Sequence, residues 1–339
     1  MPPRRPLPTL QDVARLAQVS TATVSRCLNA PGQVSEATRH RVRAAISTLD
    51  YSPNFGARAM AARRTSTIGA IIPTMENAVF ARGLQAFQDE LRAHGFTLLV
   101  GCTDYRADVE AEQVRALVAR GADALLLIGH ARDPELYQFL EMQGVPTLVT
   151  WAYDRAEARP SVGFDNRAAM REMADAVLAR GHRDLALISA ATERNDRAAA
   201  RRDGCRDALA AAGLDPDGLR VIETVYGIDE GAAAFGTILE RAPGTTAVLC
   251  GNDVLAVGAL RRARQMGLEV PRDVSIVGFD DIELAGAAYP ALTTVHVPHR
   301  AMGRRAARAL GGTLSTGTPI EPVELRTRLV LRETLGGVR

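Results

Sequence analysis

Polar and aromatic side chains follow several apolar runs of the sequence, at the points where those runs end. Tyr226, Asn252 and Asp280 each come directly after such a run. If the runs are parallel strands, their carboxyl ends meet at the edge of a sheet where α/β proteins bind ligands. Carboxylate and amide groups placed there can chelate neighbouring sugar hydroxyls, and an aromatic ring can cover the apolar face of a sugar. These residues therefore predict a site for a small polyhydroxylated molecule.

A second group of polar residues follows the apolar run that ends near Ser189. It contains Asn195, Arg197 and Arg201. Two guanidinium groups acting together would suit a carboxylate or a phosphate. Trp151, at the end of the segment 145–151, adds an indole that can stack on a ligand.

Some of these residues also have a purely structural interpretation, because Asn and Asp are preferred at the N-termini of helices. Asn252 can cap the helix that follows it, whereas for Arg201, Tyr226 and Asp280 ligand binding is the favoured interpretation. Helix capping is the favoured role of Asp165, Asn166 and Asp253.

Several classes of enzyme are excluded by what the chain lacks. All 41 residues in the Lys and Arg count are arginine. A Walker-type phosphate loop, Schiff-base chemistry and pyridoxal-phosphate chemistry all need a lysine. The motifs H-E-x-x-H, G-x-S-x-G and G-x-G-x-x-G are absent as well, so we expect no enzyme and no cofactor. His296 and His299 flank Pro298 and are ascribed to a strand end, not to a metal pair.

The elements that must position these residues begin at Thr65, where apolar runs alternate with helical stretches. The predicted strands are 68–72, 97–100, 124–128, 147–151, 185–189, 247–250 and 275–279, with helices that include 78–93, 112–119, 167–179 and 254–265. Continuous apolar strands recurring about every 25–30 residues predict parallel sheets with helices on both faces. The strands are too many for one doubly wound sheet, so we expect two α/β subdomains with a ligand cleft between them.

The N-terminal segment differs from this body in charge. Residues 1–64 carry ten arginines against three acidic residues, a net charge of +7. The remainder carries 31 arginines against 36 acidic residues, a net charge of −5. A small basic module on a larger acidic body favours nucleic-acid binding at one end, and the alternative is a basic N-terminus that is simply solvated.

Within this module, the spacing predicts three short helices over residues 9–49. Thr9, Ser20 and Ser35 are placed to cap them. Apolar residues recur at helical spacing as Leu10, Val13, Ala14 and Ala17 in the first helix and as Val42, Ala45, Ile46 and Leu49 in the third. Because only Gln18, Val19 and Ser20 separate the first two helices, the arrangement is typical of a helix-turn-helix.

The second helix of the module has two distinct faces. At about 100° per residue, one arc carries Thr21, Ala22, Ser25 and Arg26, and the opposite side carries Val24, Cys27 and Leu28. Small side chains let a helix enter the major groove, and an arginine can bind guanine in a bidentate manner. The alternative is an ordinary amphipathic surface helix.

These segments resemble the N-terminal region of the LacI/GalR family of bacterial transcriptional regulators. The similar segments are TLQDVARLAQVSTATVSRCLN at 9–29, VSEATRHRV at 34–42 and YSPNFGARAMA at 51–61. The resemblance continues through the body and covers about residues 9–335. It implies an operator-binding protein whose body is similar to periplasmic binding proteins.

The resemblance implies DNA contacts for particular residues of the module. Base-reading side chains are implied at Thr21, Ala22 and Arg26, and phosphate contacts at Thr9, Ser20, Thr23, Ser25 and Asn29. Residues 54–61 match a hinge helix that orders on operator binding and enters the minor groove, which adds Asn54, Arg58 and Met60. The family usually has a leucine wedge at the position of Met60, and methionine can still unstack a base step. Packing between subunits is the alternative role of Met60.

In the body, the resemblance implies effector contacts at Phe80, Arg201, Tyr226, Asn252 and Asp280. Trp151 departs from the family pattern, because several members have an acidic residue there, so the indole indicates stacking or a reshaped pocket. Residues 162–166 and 195–197 are most similar to gluconate-type regulators. The predicted effector site comprises Phe80, Trp151, Asn195, Arg197, Arg201, Tyr226, Asn252 and Asp280.

We therefore predict an N-terminal three-helix helix-turn-helix domain and a periplasmic-binding-protein-like α/β body of two doubly wound subdomains. The predicted divisions are 1–49 for the DNA-binding domain, 50–65 for the hinge helix and linker, 66–162 with 297–324 for the N-terminal effector subdomain, and 163–296 with 325–339 for the C-terminal effector subdomain. The predicted function is that of a repressor that binds double-stranded operator DNA as a homodimer. A small metabolite, a sugar or sugar acid, controls it.

The predicted location is the cytoplasm, without membrane contact. The four cysteines contain no C-x-x-C pair, no apolar run approaches the roughly 20 residues that span a bilayer, and no secretory signal is recognised. The alternative function is a cytoplasmic or exported sugar-binding protein without a regulatory role. The basic module and the missing secretory signal argue against it.

Overall fold

The computed structural model describes residues 8–52, 64–76, 78–157 and 159–338, and of Asn29 only the backbone. The chain divides into two units, residues 1–65 and 66–339. The predicted hinge residues Asn54, Arg58 and Met60 lie outside the described residues, so the hinge helix stays a prediction. None of the described helices is long and apolar enough to cross a membrane.

The first unit contains the three predicted helices, α1 (Leu10–Ala17), α2 (Thr21–Asn29) and α3 (Glu36–Leu49). All three predicted caps are confirmed. Thr9 forms a capping box with Asp12, Ser20 Oγ accepts from the Thr23 amide at 3.2 Å, and Ser35 Oγ accepts from the Thr38 amide at 3.4 Å. Each cap satisfies a backbone donor that the first turn of its helix leaves free.

The three helices share one small core. Its buried members are Val13, Ala14, Ala17, Val24, Val42, Ala45 and Tyr51. Cys27 and Leu28 pack against it from α2, so the predicted apolar side of that helix is confirmed. Gln18 takes a left-handed conformation, with φ of 54°, and thereby closes the turn into α2.

The second unit contains twelve strands and nine further helices among its described residues. The strands are β1 (Thr67–Ile72), β2 (Thr97–Cys102), β3 (Ala124–Ile128), β4 (Thr147–Thr150), β5 (Ser161–Gly163), β6 (Leu185–Ser189), β7 (Arg220–Glu223), β8 (Ala247–Cys250), β9 (Ser275–Val277), β10 (Thr294–His296), β11 (Val323–Glu324) and β12 (Arg328–Val330). The helices are α4 (Ala78–Ala93), α5 (Ala107–Ala119), α6 (Pro134–Met142), α7 (Asn166–Leu178), α8 (Asp196–Ala211), α9 (Ile228–Arg241), α10 (Asp253–Gln265), α11 (Glu283–Ala287) and α12 (His299–Thr316).

Two parallel sheets organise these strands. One has the order β11-β5-β4-β3-β1-β2 and the other β7-β6-β8-β9. In β3, Leu126 and Ile128 join the core on one side, whereas Leu125 and Leu127 join the core on the other. The first sheet is thus covered on both faces, as the continuous apolar runs predict. We call the two sheets with their helices the first half and the second half of the body.

A third, antiparallel pair connects the halves. β10 pairs with β12, and Asp280 forms a single bridge to His296 in β10. The chain passes between the halves after β5, after β10 and after β11. Several crossing segments side by side are a suitable hinge for relative movement of the two halves.

Candidate functional site

A cavity of about 30 Å³ lies between the two halves, at the carboxyl ends of their strands. Its lining residues are Phe80, Tyr105, Trp151, Phe164, Arg197, Arg201, Tyr226, Asn252 and Asp280. Seven of the eight predicted effector residues are among them, and Asn195 is the exception. A space of this volume holds little more than ordered water. A sugar ring therefore fits only after the lining side chains or the two halves move apart.

Arg201 projects into the cavity from α8 and is held by two partners. Nη1 donates to Asn166 Oδ1 at 2.7 Å, and Nη2 donates to the Tyr226 hydroxyl at 2.9 Å. The guanidinium lies 5.0 Å from the centre of the Phe279 ring. Its Nε is buried and has no hydrogen-bond partner among the described residues. The side chain is thus held by two partners at its Nη groups.

Asp280 and Asp281 are adjacent carboxylates with different surroundings. Asp280 lies in the cavity, where burial raises its pKa well above the usual value, although Arg201 acts in the opposite direction. Asp281 bonds Arg332 at 2.6 Å and His296 at 2.9 Å. Burial would raise the pKa of Asp281, but these two partners outweigh it and the pKa is lowered. One carboxylate therefore faces the cavity, and the next ties down the segments that connect the halves.

Asn252 and Asp253 divide their roles in a similar way. Asn252 Oδ1 accepts from the Leu255 amide at 2.9 Å and caps α10, whereas its Nδ2 is buried and has no hydrogen-bond partner in the described part of the chain. Asp253 does not cap, so that prediction is wrong. Its carboxylate accepts from the Thr294 hydroxyl at 2.5 Å and from the Ile282 amide at 2.8 Å, and burial raises its pKa to about 7.

The predictions for Asp165 and Asn166 have opposite outcomes. Asp165 caps α7 by accepting from the Ala168 amide at 2.9 Å, as predicted. Asn166 does not cap, because its side chain is engaged between two cavity residues. Its Nδ2 donates to the Trp151 carbonyl at 2.9 Å while its Oδ1 accepts from Arg201.

Aromatic rings form the wall contributed by the first half. Trp151 follows β4 with a φ of 60°, and its ring meets Phe80 edge to face at 5.4 Å. The indole Nε1–H donates to His299 Nδ1 at 3.2 Å. Tyr105, which follows β2, lies 6.0 Å from Tyr226 of the second half, measured between ring centres. Burial raises the pKa of Tyr105, so its hydroxyl stays protonated.

Arg197 spans the cleft instead of pairing with Arg201 around an anion. Its Nη1 donates to the Ile128 carbonyl at 3.1 Å and to Asp196 at 2.9 Å. Asp196 also accepts from the His130 amide of the first half at 2.6 Å. The expectation of two cooperating guanidinium groups is therefore not met by this geometry, because a carboxylate already neutralises Arg197.

The segment that follows the strand ending at Ser189 and carries these residues is the helix α8. Asn195 is its N-cap and accepts from the Ala198 amide at 3.3 Å, which places it outside the cavity lining. A salt bridge of 2.9 Å joins the neighbouring Arg194 to Asp133 of the first half. The N-terminus of α8 thus belongs to the contact between the halves.

Sequence patterns missed four residues of this site. Tyr105 and Phe164 line the cavity, Asn166 holds Arg201, and His299 holds Trp151. Tyr105 had a weaker signal, since it lies five residues after the predicted strand 97–100, whereas Asp280 follows its strand directly. His299 had none, because its position in the sequence gives no indication that it meets Trp151.

In the first unit, the side of α2 opposite the core faces outward. Thr21, Ala22 and Arg26 are exposed. Ser20 and Thr23 are engaged in the N-cap of α2, and Thr9 in that of α1, so their hydroxyls lie at helix N-termini. Backbone amides at helix N-termini are suited to phosphate groups. The arrangement combines a central exposed arginine with two such N-termini.

Comparisons with known proteins agree with both units. Residues 9–54 match the family model of bacterial regulatory proteins, lacI family, and residues 174–335 match that of the periplasmic binding protein-like domain. The HTH-type transcriptional regulator CelR of Thermobifida fusca is 36% identical over 98% of this chain and 99% of its own length.

Two solved structures extend the likeness to three dimensions. A complex of the transcriptional regulator CelR with cellobiose superimposes with a TM-score of 0.69 and 33% identity, over 96% of this chain and 99% of that one. The lac repressor dimer bound to operator and the anti-inducer ONPF superimposes with a TM-score of 0.85 and 27% identity, over 98% and 100% of the two chains.

Proposed function

Because the chain belongs to the LacI family of bacterial regulatory proteins, we propose that it is a repressor whose operator binding is controlled by a sugar bound between the halves of its body. The chain is a DNA-binding transcriptional regulator and not an enzyme. Its DNA partner is a double-stranded operator, bound by a homodimer. A two-fold dimer matches an operator with two related half-sites.

The DNA interface that we propose is the exposed side of α2. Arg26 reads a guanine, and Thr21 and Ala22 let the helix approach the base edges. Thr9, Ser20, Thr23, Ser25 and Asn29 contact phosphates near the helix ends. Asn54, Arg58 and Met60 complete the interface from the hinge segment. Support comes from the exposure of Arg26 and from the net charge of +7 in residues 1–64.

The effector that fits the cavity best is an uncharged sugar. The observation that carries this proposal is that Arg201, Asn252 and Asp280 line the same cavity together with aromatic side chains. Two donors and one carboxylate can bind neighbouring hydroxyl groups, and the aromatic wall suits the apolar face of the ring. Arg197 is already paired with Asp196, so its guanidinium group is not free to neutralise an acidic ligand.

The proposed mechanism couples this site to DNA through the relative position of the halves. A sugar enters when the halves separate, which breaks the contacts of Arg197 and Asp196 with the first half. A ligand that binds one arrangement better shifts the population toward it. In a dimer, the same shift changes the distance between the two hinge segments, and operator affinity changes with it.

The proposal also includes location and domain division. We place the protein in the cytoplasm, where operator DNA and metabolites meet. The subdomains are residues 66–162 with 297–324 and residues 163–296 with 325–339, and residues 50–65 connect them to the helix-turn-helix at 1–49. The three passages of the chain between the sheets support this division.

The test uses the full-length protein. A thermal-shift screen with glucose, ribose, cellobiose and gluconate identifies the effector class, because a ligand of the folded state raises its stability by mass action. Selection from randomised DNA identifies the operator. We expect stabilisation by a neutral sugar and a change in operator affinity when that sugar is added. Stabilisation by gluconate alone would overturn the choice of an uncharged effector, and sugar binding without any DNA selection would favour the non-regulatory alternative.

Two variants then test the cavity residues, and a third serves as their control. Arg201→Ala and Asp280→Ala should leave operator binding nearly intact and abolish the response to the sugar. Arg92→Ala, which changes an exposed arginine of α4, is the matched control and should respond normally. A destabilised but normally responsive Arg201→Ala or Asp280→Ala protein would remove that residue from the proposed site.

A further inference from the structure

His299 connects the two walls of the cavity, although nothing in its sequence position indicates it. It is the first residue of α12 and is 4% exposed. Its Nδ1 accepts the hydrogen bond from Trp151 Nε1 at 3.2 Å, and the ring planes lie at 25° to each other with their centres 6.2 Å apart. Because Nδ1 is an acceptor, the neutral imidazole carries its proton on Nε2.

Nε2 of His299 lies near Asp280 of the second half. Nε2 is 3.7 Å from Asp280 Oδ1 and makes no hydrogen bond of standard geometry among the described residues. Burial lowers the pKa of His299 to about 3, although the backbone carbonyl of Asp280 acts in the opposite direction. A neutral, buried donor therefore faces a buried carboxyl group from just beyond hydrogen-bonding distance.

Behind Trp151 there is no room into which the indole can move. A Cβ placed on Gly83 would lie 2.4 Å from Trp151 Cη2, and one placed on Gly303 would lie 2.0 Å from the Gly83 carbonyl oxygen. Phe80 closes a third side. The indole is thus fixed by packing on the α4–α12 side and by His299 at its polar edge. Any rearrangement of His299 must change the surroundings of the indole.

We propose that His299 is a positioning residue that couples Asp280 in the second half to Trp151 in the first half. This proposal rests on the proposed function in one respect, because a sugar is the ligand that would engage Asp280. Movement of the Asp280 carboxyl group toward a sugar, or toward Nε2, changes the orientation of the imidazole. The hydrogen bond that the indole donates to His299 is altered as a result. The indole then shifts against α4 and α12, which pack closely around it.

The first experiment needs no sugar, because Trp151 is the single tryptophan of the chain and reports its own surroundings by fluorescence. His299→Phe removes the acceptor for the indole N–H and keeps an aromatic ring. We expect an altered emission maximum and stronger quenching by acrylamide. His299→Gln, whose amide again offers both an acceptor and a donor, should restore most of the wild-type signal.

The matched control is His182→Phe. His182 is also buried, and it bonds the Gly336 carbonyl. This variant should lower the melting temperature without changing the emission of Trp151. Wild-type emission in His299→Phe would overturn the proposal, as would equal changes in the two histidine variants.

A double-variant comparison tests the coupling itself. Asp280→Asn should shift the emission of Trp151 when His299 is present and leave it unchanged in the His299→Phe background. Equal shifts in both backgrounds would show that Asp280 acts on the indole without His299 and would refute the proposal. His299→Phe should also weaken binding of cellobiose or glucose to the full-length protein about fivefold, the effect of one net hydrogen bond. If neither sugar binds the wild-type protein, the proposed effector fails, while the sugar-free comparison still decides the role of His299.

Discussion

Gly83 of α4 provides a quantitative test of the packing around Trp151. A Cβ at this position would lie 2.4 Å from Cη2 and 2.5 Å from Cζ2 of the indole. Optimal separations between carbon atoms are about 3.5–4.0 Å, so Gly83→Ala forces a displacement of about 1 Å. Overpacking of this kind costs about 1–3 kcal/mol of stability.

A second term acts in the opposite direction, because alanine is favoured over glycine inside a helix by up to about 1 kcal/mol. The variant Gly312→Ala measures this helix-propensity term alone. Gly312 also lies in a helix, α12, and a Cβ there has no neighbour within 4 Å. The difference between the two variants therefore measures the overpacking, and we expect Gly83→Ala to be less stable than Gly312→Ala by about 1–3 kcal/mol.

Thermal unfolding followed by the fluorescence of Trp151 is the appropriate assay, because the single tryptophan lies in the second unit. At roughly 2–4 °C per kcal/mol, the melting temperatures of the two variants should differ by about 2–12 °C. The displaced indole can move only toward the cavity, so Gly83→Ala should also bind sugar less tightly. Equal melting temperatures together with unchanged emission would refute the close contact between Gly83 and Trp151.

Three further predictions concern DNA binding and pH. Arg26→Ala should weaken binding to the cognate operator by about 1–3 kcal/mol and relax the preference at one base pair; an equal loss on random DNA would indicate a phosphate contact instead. Operator affinity should fall steeply with salt concentration while sugar binding does not, and a salt-insensitive operator complex, measured by fluorescence anisotropy, would contradict the role of the basic module. Since burial raises the pKa of Asp253 from 3.8 to about 7, the native state holds a proton that the unfolded state releases, and stability from this group falls as the pH rises through that window. The melting temperature of Asp253→Asn should therefore rise relative to that of the wild type as the pH increases from 4 to 8. A difference between the two melting temperatures that stays constant over this range would exclude a raised pKa for Asp253.

Helix caps and buried strands were predictable from sequence because their signals are local. Strands β3, β6 and β8 occupy exactly the predicted residue ranges, and three predicted caps in the first unit are present. The short strands β5 and β11 went unrecognised, because two or three residues carry no measurable periodicity.

The helix that carries Arg197 and Arg201 was not among the helices named from the sequence, for a different reason. Its sequence is rich in alanine and arginine and has no continuous apolar stripe. Alanine and arginine both favour helix, and small residues let this helix approach α7 closely: a Cβ on Gly204 would lie 2.3 Å from the Arg167 carbonyl oxygen. Close packing of this kind depends on the partner helix, which a local pattern does not contain.

Local pattern therefore established the helix-turn-helix, the parallel α/β body and most residues at the carboxyl ends of its strands, because capping, periodicity and charge are properties of neighbouring residues. The folded chain alone decided how these residues are used. It paired Arg197 with Asp196, assigned Asn195 to a cap, and brought His299 against a tryptophan 148 residues away. These outcomes depend on which distant segments meet when the two halves assemble, and a pattern of neighbouring residues contains no information about those meetings.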